Sequence, residues 1–165
     1  MKKNYDAIVI GTGGVGSSAV FHLAKKGANV LGLDRFPAAH DRGSSHGTTR
    51  VIRKAYFEHP GYVPLLHRAY ELWDELQAES SQPLFRRHPL IEVGPPDGLI
   101  VPGVLEAARV HRLLVDSLSE NDFCKTCPGL VLPEGAVALR EDDAGILFVE
   151  NCVREHLKRA AEEGA

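Results

Sequence analysis

The sequence predicts an α/β fold that opens on a parallel β-α-β unit, and three observations carry that prediction. Residues Tyr5 to Ile10 form a short apolar run that breaks into glycines, the pattern of a buried parallel strand. Residues 15–26 place Val15, Ala19, Val20, Leu23 and Ala24 on one helical stripe. A second apolar run, Asn29 to Leu33, ends on Asp34. Lys25, Lys26 and Gly27 give the helix a basic last turn and a glycine stop before that second strand. The unit closes within about 30 residues, the length of a compact crossover.

The later elements follow from periodicity and punctuation. After a polar loop at 37–49, Tyr62 to Glu79 reads as a long amphipathic helix, with Val63, Leu66, Ala69, Tyr70, Trp73 and Leu76 at helical spacing. Pro64 falls in its first turn, where a missing N–H costs little. Leu90 to Val93 is expected as a strand, and Gly94-Pro95-Pro96-Asp97-Gly98 as a turn. Val104 to Arg112 is expected as a helix, Leu113 to Leu118 as a strand, and Ser119 to Thr126 as a short helix ended by Pro128-Gly129. Ala136 to Leu139 and Gly145 to Phe148 are expected as strands around the turn at Glu141-Asp142-Asp143. A last helix covers about Glu150 to Glu162, a typical exit into a further strand, so the chain reads as the N-terminal piece of a larger design or a truncated product.

Composition bounds the function. The chain has 165 residues, 44% hydrophobic and 25% charged, enough for one domain or one and a half. A net charge of −3 argues against a nucleic-acid partner, which needs a basic face. No apolar run approaches the roughly 20 residues of a membrane span. Lys2 and Lys3 precede only the short run "AIVIG", which suits a strand better than a signal peptide. Three cysteines suit a reducing compartment, hence a cytoplasmic location. No repeat or low-complexity tract is present.

Gly11-x-Gly13-x-x-Gly16 gains its specificity from position. It follows a strand, opens a helix, and the next strand ends in the acid Asp34, 18 residues past Gly16. Gly11 serves a tight turn, Gly13 lets the backbone approach a pyrophosphate, and Gly16 lets the helix lie close on the strand. The pyrophosphate then meets free N–H groups at a positive helix end. Asp34 is placed to accept from ribose hydroxyls. A glycine-rich turn that binds nothing is the alternative. The fingerprint alone does not separate NAD from FAD. The chain after Asp34 does, because "RFPAAHDRGSSHGTTRVIR" turns away at once instead of starting a second crossover helix. That path fits a Rossmann-like FAD-binding domain of the glutathione-reductase type.

The stretch Ser44-Ser45-His46-Gly47-Thr48-Thr49-Arg50-Val51-Ile52-Arg53 is small and polar, then basic. A small anionic ligand explains it more simply than a polyanion. A solvated basic loop, with His46 as a loop or capping histidine, is the bland alternative. Here the chain resembles the monomeric sarcosine oxidase and N-methyltryptophan oxidase family of FAD-dependent amine oxidases. The resemblance is carried by "YDAIVIGTGGVGSSAVFHLAKKGANVLGLDRF", "GSSHGTTRVIRKAY", "YVPLLHRAYELWDEL" and "PGLVLPEGAVALREDDAGILFVENCV". It implies an FAD-binding part over 1–84, part of an α+β substrate domain over 85–148, and a helix at 149–165 that returns to the first. It implies that Gly11, Gly13, Gly14, Val15, Gly16, Asp34, Arg35, Ser44, Ser45, Thr49 and Arg50 hold the cofactor. His46 and Arg50 would lie against the isoalloxazine, and Arg53 would pair with the substrate carboxylate.

The implied activity is oxidation of a secondary amine or N-methyl amino acid to an imine, with oxygen reduced to hydrogen peroxide. The expected partners are a small amino-acid substrate and oxygen, with no nucleic acid and no membrane. A glycine or pipecolate oxidase-like enzyme, and a non-catalytic nucleotide-binding fragment, are the alternatives. Members of the resembled family are more than twice this length. Their flavin-linking cysteine and oxygen-activating lysine lie beyond residue 165, so Cys124, Cys127 and Cys152 do not occupy the linkage position. Cys124-x-x-Cys127 with Cys152 and His156 has a conceivable zinc spacing, but Cys152 reads as an inward-packed helix residue and no metal is expected. His22, His67, His111 and His156 read as surface or helix-end residues, and Tyr70 and Trp73 as core. His40 and Arg42 lie in the cofactor loop.

Overall fold

The computed structural model describes residues 4–165. In chain order the elements are β1 (Ala7–Ile10), α1 (Gly14–Lys25), β2 (Val30–Leu33), β3 (Arg50–Ile52), α2 (Val63–Glu79), β4 (Phe85–Arg87), β5 (Leu90–Gly94), α3 (Ile100–His111), β6 (Asp116–Leu118), α4 (Glu120–Thr126), β7 (Val137–Glu141), β8 (Gly145–Leu147) and α5 (Val149–Glu162). The chain divides into two compact units. The first holds residues up to Arg50, with Leu76–Leu84 and Leu147–Ala165; the second holds Val51–Glu75 and Phe85–Ile146.

In the first unit, β1 and β2 pair in parallel with Ala7 opposite Val30 and Ile10 opposite Leu33. α1 covers one face of the pair, burying Val20, Phe21 and Ala24. On α5 the buried positions Val149, Cys152, Val153, His156 and Ala160 recur at three- and four-residue steps, and this stripe packs on α1. His156 therefore lies on the core-facing stripe and not on the surface. Its ring sits 5.7 Å from that of Phe21. Burial draws its pKa down to about 4, with nearby His22 acting in the same direction and Glu155 opposing. Cys152 is buried as expected, its Sγ 3.3 Å from the Leu84 carbonyl. The opposite face of β1 is bare: Ile8 is 56% and Ile10 87% exposed.

In the second unit, β7 is the centre of an antiparallel sheet of order β5-β7-β6. Ala55, Val101, Val104 and Leu139 form its core, with Phe57, Ile100, Leu113, Val115 and Val137 packed around them. A second sheet has the order β3-β8-β4. The strands β3 and β4 lie in stretches not expected as strands. Each is three residues long and carries arginine. α3 begins at Ile100, ahead of the expected Val104, because Pro102 falls in the first turn where its missing N–H has no helical partner to lose. β6 is shorter than the expected Leu113–Leu118. Arg112 caps α3 in the left-handed region (φ 54°), and Leu113 and Val115 fill the core without pairing in the sheet. Tyr70 is buried edge-on against Phe85 with centroids 5.4 Å apart, whereas Trp73 is half-buried. Among the described residues no helix is long and apolar enough to cross a membrane.

Candidate functional site

The glycine segment of the first unit has the form its spacing predicts. Gly11 turns with φ +90°, a conformation that side chains oppose. At Gly16 an added Cβ would lie 1.7 Å from the Gly11 carbonyl oxygen, so only hydrogen fits between α1 and the turn. At Gly11 itself the space is open, with no atom within 4 Å of an added Cβ. Gly13 is the N-cap of α1 and offers no side chain to its first turn, which also carries no acid. Such a helix start presents unpaired N–H groups and a positive dipole end. Val15 stands 89% exposed at this lip.

Asp34 ends β2 beside that turn. Its Oδ2 accepts from the Thr12 amide at 2.6 Å and from the Thr12 hydroxyl at 3.2 Å, and its Oδ1 accepts from the Phe36 amide at 3.1 Å. The Thr12 and Phe36 amides hold its pKa down at about 2, so it is a carboxylate at any physiological pH. His40 Nε2 lies 3.4 Å from Oδ1. Asp34 thus locks the turn to the strand end while still bearing acceptor capacity. Arg35 stacks on Phe36 at 5.5 Å.

The polar loop at 44–50 is tied to the same unit at two points. Ser45 Oγ accepts from the Gly14 amide at 3.0 Å, which brings the loop to the start of α1. The Gly47 amide donates to Glu150 Oε1 at 3.1 Å, which ties the loop to the first turn of α5. This amide, with Arg154, holds the Glu150 pKa below the usual carboxylate range. Arg50 folds back on its own loop, donating to the carbonyls of Thr49 at 2.8 Å and Ser44 at 2.5 Å. His46 is half-buried. A depression of ≈ 310 Å³ opens beside the loop, lined by Gly47, Thr48, Phe148, Glu150 and Asn151. The structure therefore gathers Gly11–Gly16, Asp34 and Ser44–Arg50 in one unit.

Arg53 belongs to the second unit, where it is enclosed. Its guanidinium lies over Tyr56 at 4.4 Å and Phe57 at 5.0 Å. Nη2 reaches Glu58 at 3.3 Å, and Nε is 3.3 Å from Glu92 Oε1, out of line for a hydrogen bond. Glu141, 4% exposed, accepts from the Lys54 amide at 2.8 Å and the Ala55 amide at 3.0 Å. Glu58, Glu92, Glu141 and Glu150 were not legible as site residues. Glu150 carries the weak signal of an acid in a first helical turn; Glu58 and Glu92 meet the Arg53 side chain, and Glu141 the amides of Lys54 and Ala55, only through folding. Among the described residues no group of three or more His, Cys, Asp or Glu is placed to hold a metal ion.

The family model described as FAD dependent oxidoreductase matches residues 6–165. A monomeric sarcosine oxidase of Streptomyces avermitilis is 43% identical over 165 residues, all of this chain and 43% of that protein. An N-methyl-L-tryptophan oxidase of Salmonella arizonae is 38% identical over 160 residues, 97% of this chain and 43% of that protein. The chain thus spans under half the length of these relatives. Among solved structures, NikD, an unusual amino acid oxidase, superposes with a TM-score of 0.86 at 21% identity, over 99% of this chain and 42% of that one. L-proline dehydrogenase of P. horikoshii gives 0.78 at 21% identity, over 100% of this chain and 44% of that one. These two likenesses show the fold.

Proposed function

Because the chain belongs to the FAD-dependent oxidoreductase family, we propose that it supplies the dinucleotide cradle and part of the substrate site of an FAD-dependent amine oxidase. The substrate is a secondary amine or N-methyl amino acid of the sarcosine type. The observation that carries this is the cradle itself, an open glycine turn at a helix start with an ionised Asp34 beside it. Those residues fit FAD: the missing Cβ at Gly16 lets α1 lie against the turn, and the space at Gly11 is clear.

In this proposal Gly13, Val15 and Gly16 offer backbone amides to the pyrophosphate, Gly14 brings Ser45 to the same helix start through its own amide, and Gly11 shapes the turn with its amide donated to the Leu33 carbonyl at 2.7 Å. Asp34 accepts from the ribose, and Arg35, Ser44, Ser45 and Thr49 contact the remainder of the cofactor. FAD, when bound, supplies the two-electron acceptor for the amine. Arg50 presents positive charge, and both His46 and Arg50 present N–H donors, toward the isoalloxazine; a fixed guanidinium there favours an electron-rich ring. The contacts of Arg50 with the Ser44 and Thr49 carbonyls hold its guanidinium folded back against the loop. Arg53 receives the substrate carboxylate through its fork of donors and so fixes which C–H faces the ring. Its exposed partner Glu58 is worth little as an ion pair and yields readily.

In the net reaction the amine loses two electrons and two protons to give the imine. Dioxygen takes them to give hydrogen peroxide, and water hydrolyses the imine. The free cysteines support a reducing, cytoplasmic setting.

The test is an anaerobic titration of the FAD-loaded full-length protein with sarcosine and with dimethylamine. Sarcosine should bleach the flavin's visible absorbance, and dimethylamine, which lacks the carboxylate, should do so far more weakly. No bleaching by any secondary amine would contradict the proposal.

A further inference from the structure

Strand alternation puts Leu90, Glu92 and Gly94 on the same face as their β7 partners Glu141, Leu139 and Val137. That face packs on the cluster containing Ala55, to which Leu139 belongs at 2% exposed. A carboxylate on this face breaks the inward apolar pattern, and buried carboxylates are costly unless paired. Such a local exception points to a specific task.

Glu92 faces Arg53, and the two side chains are 13% and 16% exposed. Glu141, two residues along the same face, holds the backbone amides of Lys54 and Ala55. The sheet therefore grips this segment twice, once by its backbone and once by the Arg53 side chain. Tyr56 and Phe57 restrict the plane of the guanidinium. Glu58 also reaches Arg53, but it is 44% exposed and comes from the same loop. Glu92 stands on a strand, so its contact is the fixed one. With Glu92 on the Nε side, the terminal amino groups are the edge that a carboxylate takes in bidentate geometry when it displaces Glu58 from Nη2.

We propose that Glu92 is the positioning residue that aims Arg53 and sets the net charge that a substrate carboxylate meets there. This rests on the reading that Arg53 receives that carboxylate. The groups facing Glu92 are Arg53 and Glu58 from the segment after β3 and Glu141 from β7. Burial raises the Glu92 pKa, Arg53 opposes this, and the two glutamates add to it. Another carboxylate brought to Arg53 raises it further. Carboxylate binding is then coupled to proton uptake at Glu92 and tightens as pH falls.

The experiment follows the Arg53 Nε–Hε signal by ¹⁵N NMR in the 165-residue chain, with acetate as the probe. Glu92→Gln keeps an acceptor beside Nε and removes the charge. It should tighten acetate binding at neutral pH by on the order of tenfold and flatten its pH dependence. Glu92→Leu removes the hold as well, so acetate should bind more weakly than in Glu92→Gln and the Arg53 signal should move to the position of an unrestrained arginine. Arg53→Gln should abolish acetate binding. If Arg53→Gln binds acetate as the parent does, the reading of Arg53 fails. If Arg53→Gln loses acetate but Glu92→Gln matches the parent at every pH, the role of Glu92 is overturned while Arg53 keeps its own.

Discussion

At Gly16 a hydrogen in place of a methyl group decides whether α1 can lie on β1. An alanine there would set its Cβ 1.7 Å from the Gly11 oxygen and 3.4 Å from Val9 Cγ1. The neighbours are backbone and a strand side chain, so relief means moving the helix. Gly16→Ala should lower stability by about 2–3 kcal/mol, the cost of overpacking a tight contact. It should also weaken FAD binding, since the amide cradle shifts with the helix. Urea denaturation and flavin fluorescence quenching check the two effects; a midpoint equal to the parent's would contradict this account. The same scale explains why the cradle was legible before any coordinates. Gly11, Gly13, Gly16 and Asp34 each answer a local demand of turn, approach, packing or charge. Arg53 was legible as a cation, but its partners were not. Glu92 reaches it from strand β5 while Glu141 on β7 holds the amides of Lys54 and Ala55 next to it, and nothing in the local pattern of those strands names an arginine elsewhere in the chain.

At the scale of elements, α1 and α5 pack through Phe21, His22 and His156. A solvated histidine titrates near 6.5, whereas His156 is drawn to about 4 by burial. The unfolded chain therefore takes up a proton near pH 6.5 that the folded chain refuses until near pH 4. Stability from this group is fully present above about pH 6.5 and falls as pH drops toward 4, by at most on the order of 3 kcal/mol. His156→Leu should remove that part of the pH dependence, read as the difference in urea midpoint between neutral and mildly acidic buffer. An unchanged difference would show that the titration lies elsewhere. Helices were more legible than short strands, for a physical reason. α1, α2 and α5 repeat their apolar stripe over several turns, whereas Arg50-Val51-Ile52 and Phe85-Arg86-Arg87 are too short for a period to emerge. Their pairing in one sheet is decided by partners far off in sequence. His156 was misread because α5 is rich in charge, and a histidine among Arg154, Glu155 and Lys158 resembles its neighbours until the stripe is drawn through Cys152, Val153 and Ala160.

At the scale of the whole molecule, the two-stranded parallel sheet stands out. Parallel sheets are as a rule covered on both faces, yet Ile8, Ile10 and Leu33 are exposed. The chain corresponds to 43% of the length of its curated relatives. In the proposed reading it supplies the dinucleotide cradle: the turn, the helix start, Asp34 and the polar loop at 44–50. In that reading this first unit holds FAD by the amides of its glycine turn with Asp34 at its side. The most direct measurement is a titration of the ¹⁵N-labelled chain with FAD, following each backbone amide. Saturable shifts concentrated at Gly11–Gly16 and Asp34, and lost in Asp34→Ala, are the predicted result. Shifts elsewhere with the glycine amides unmoved, or no shifts at any FAD concentration, would contradict it.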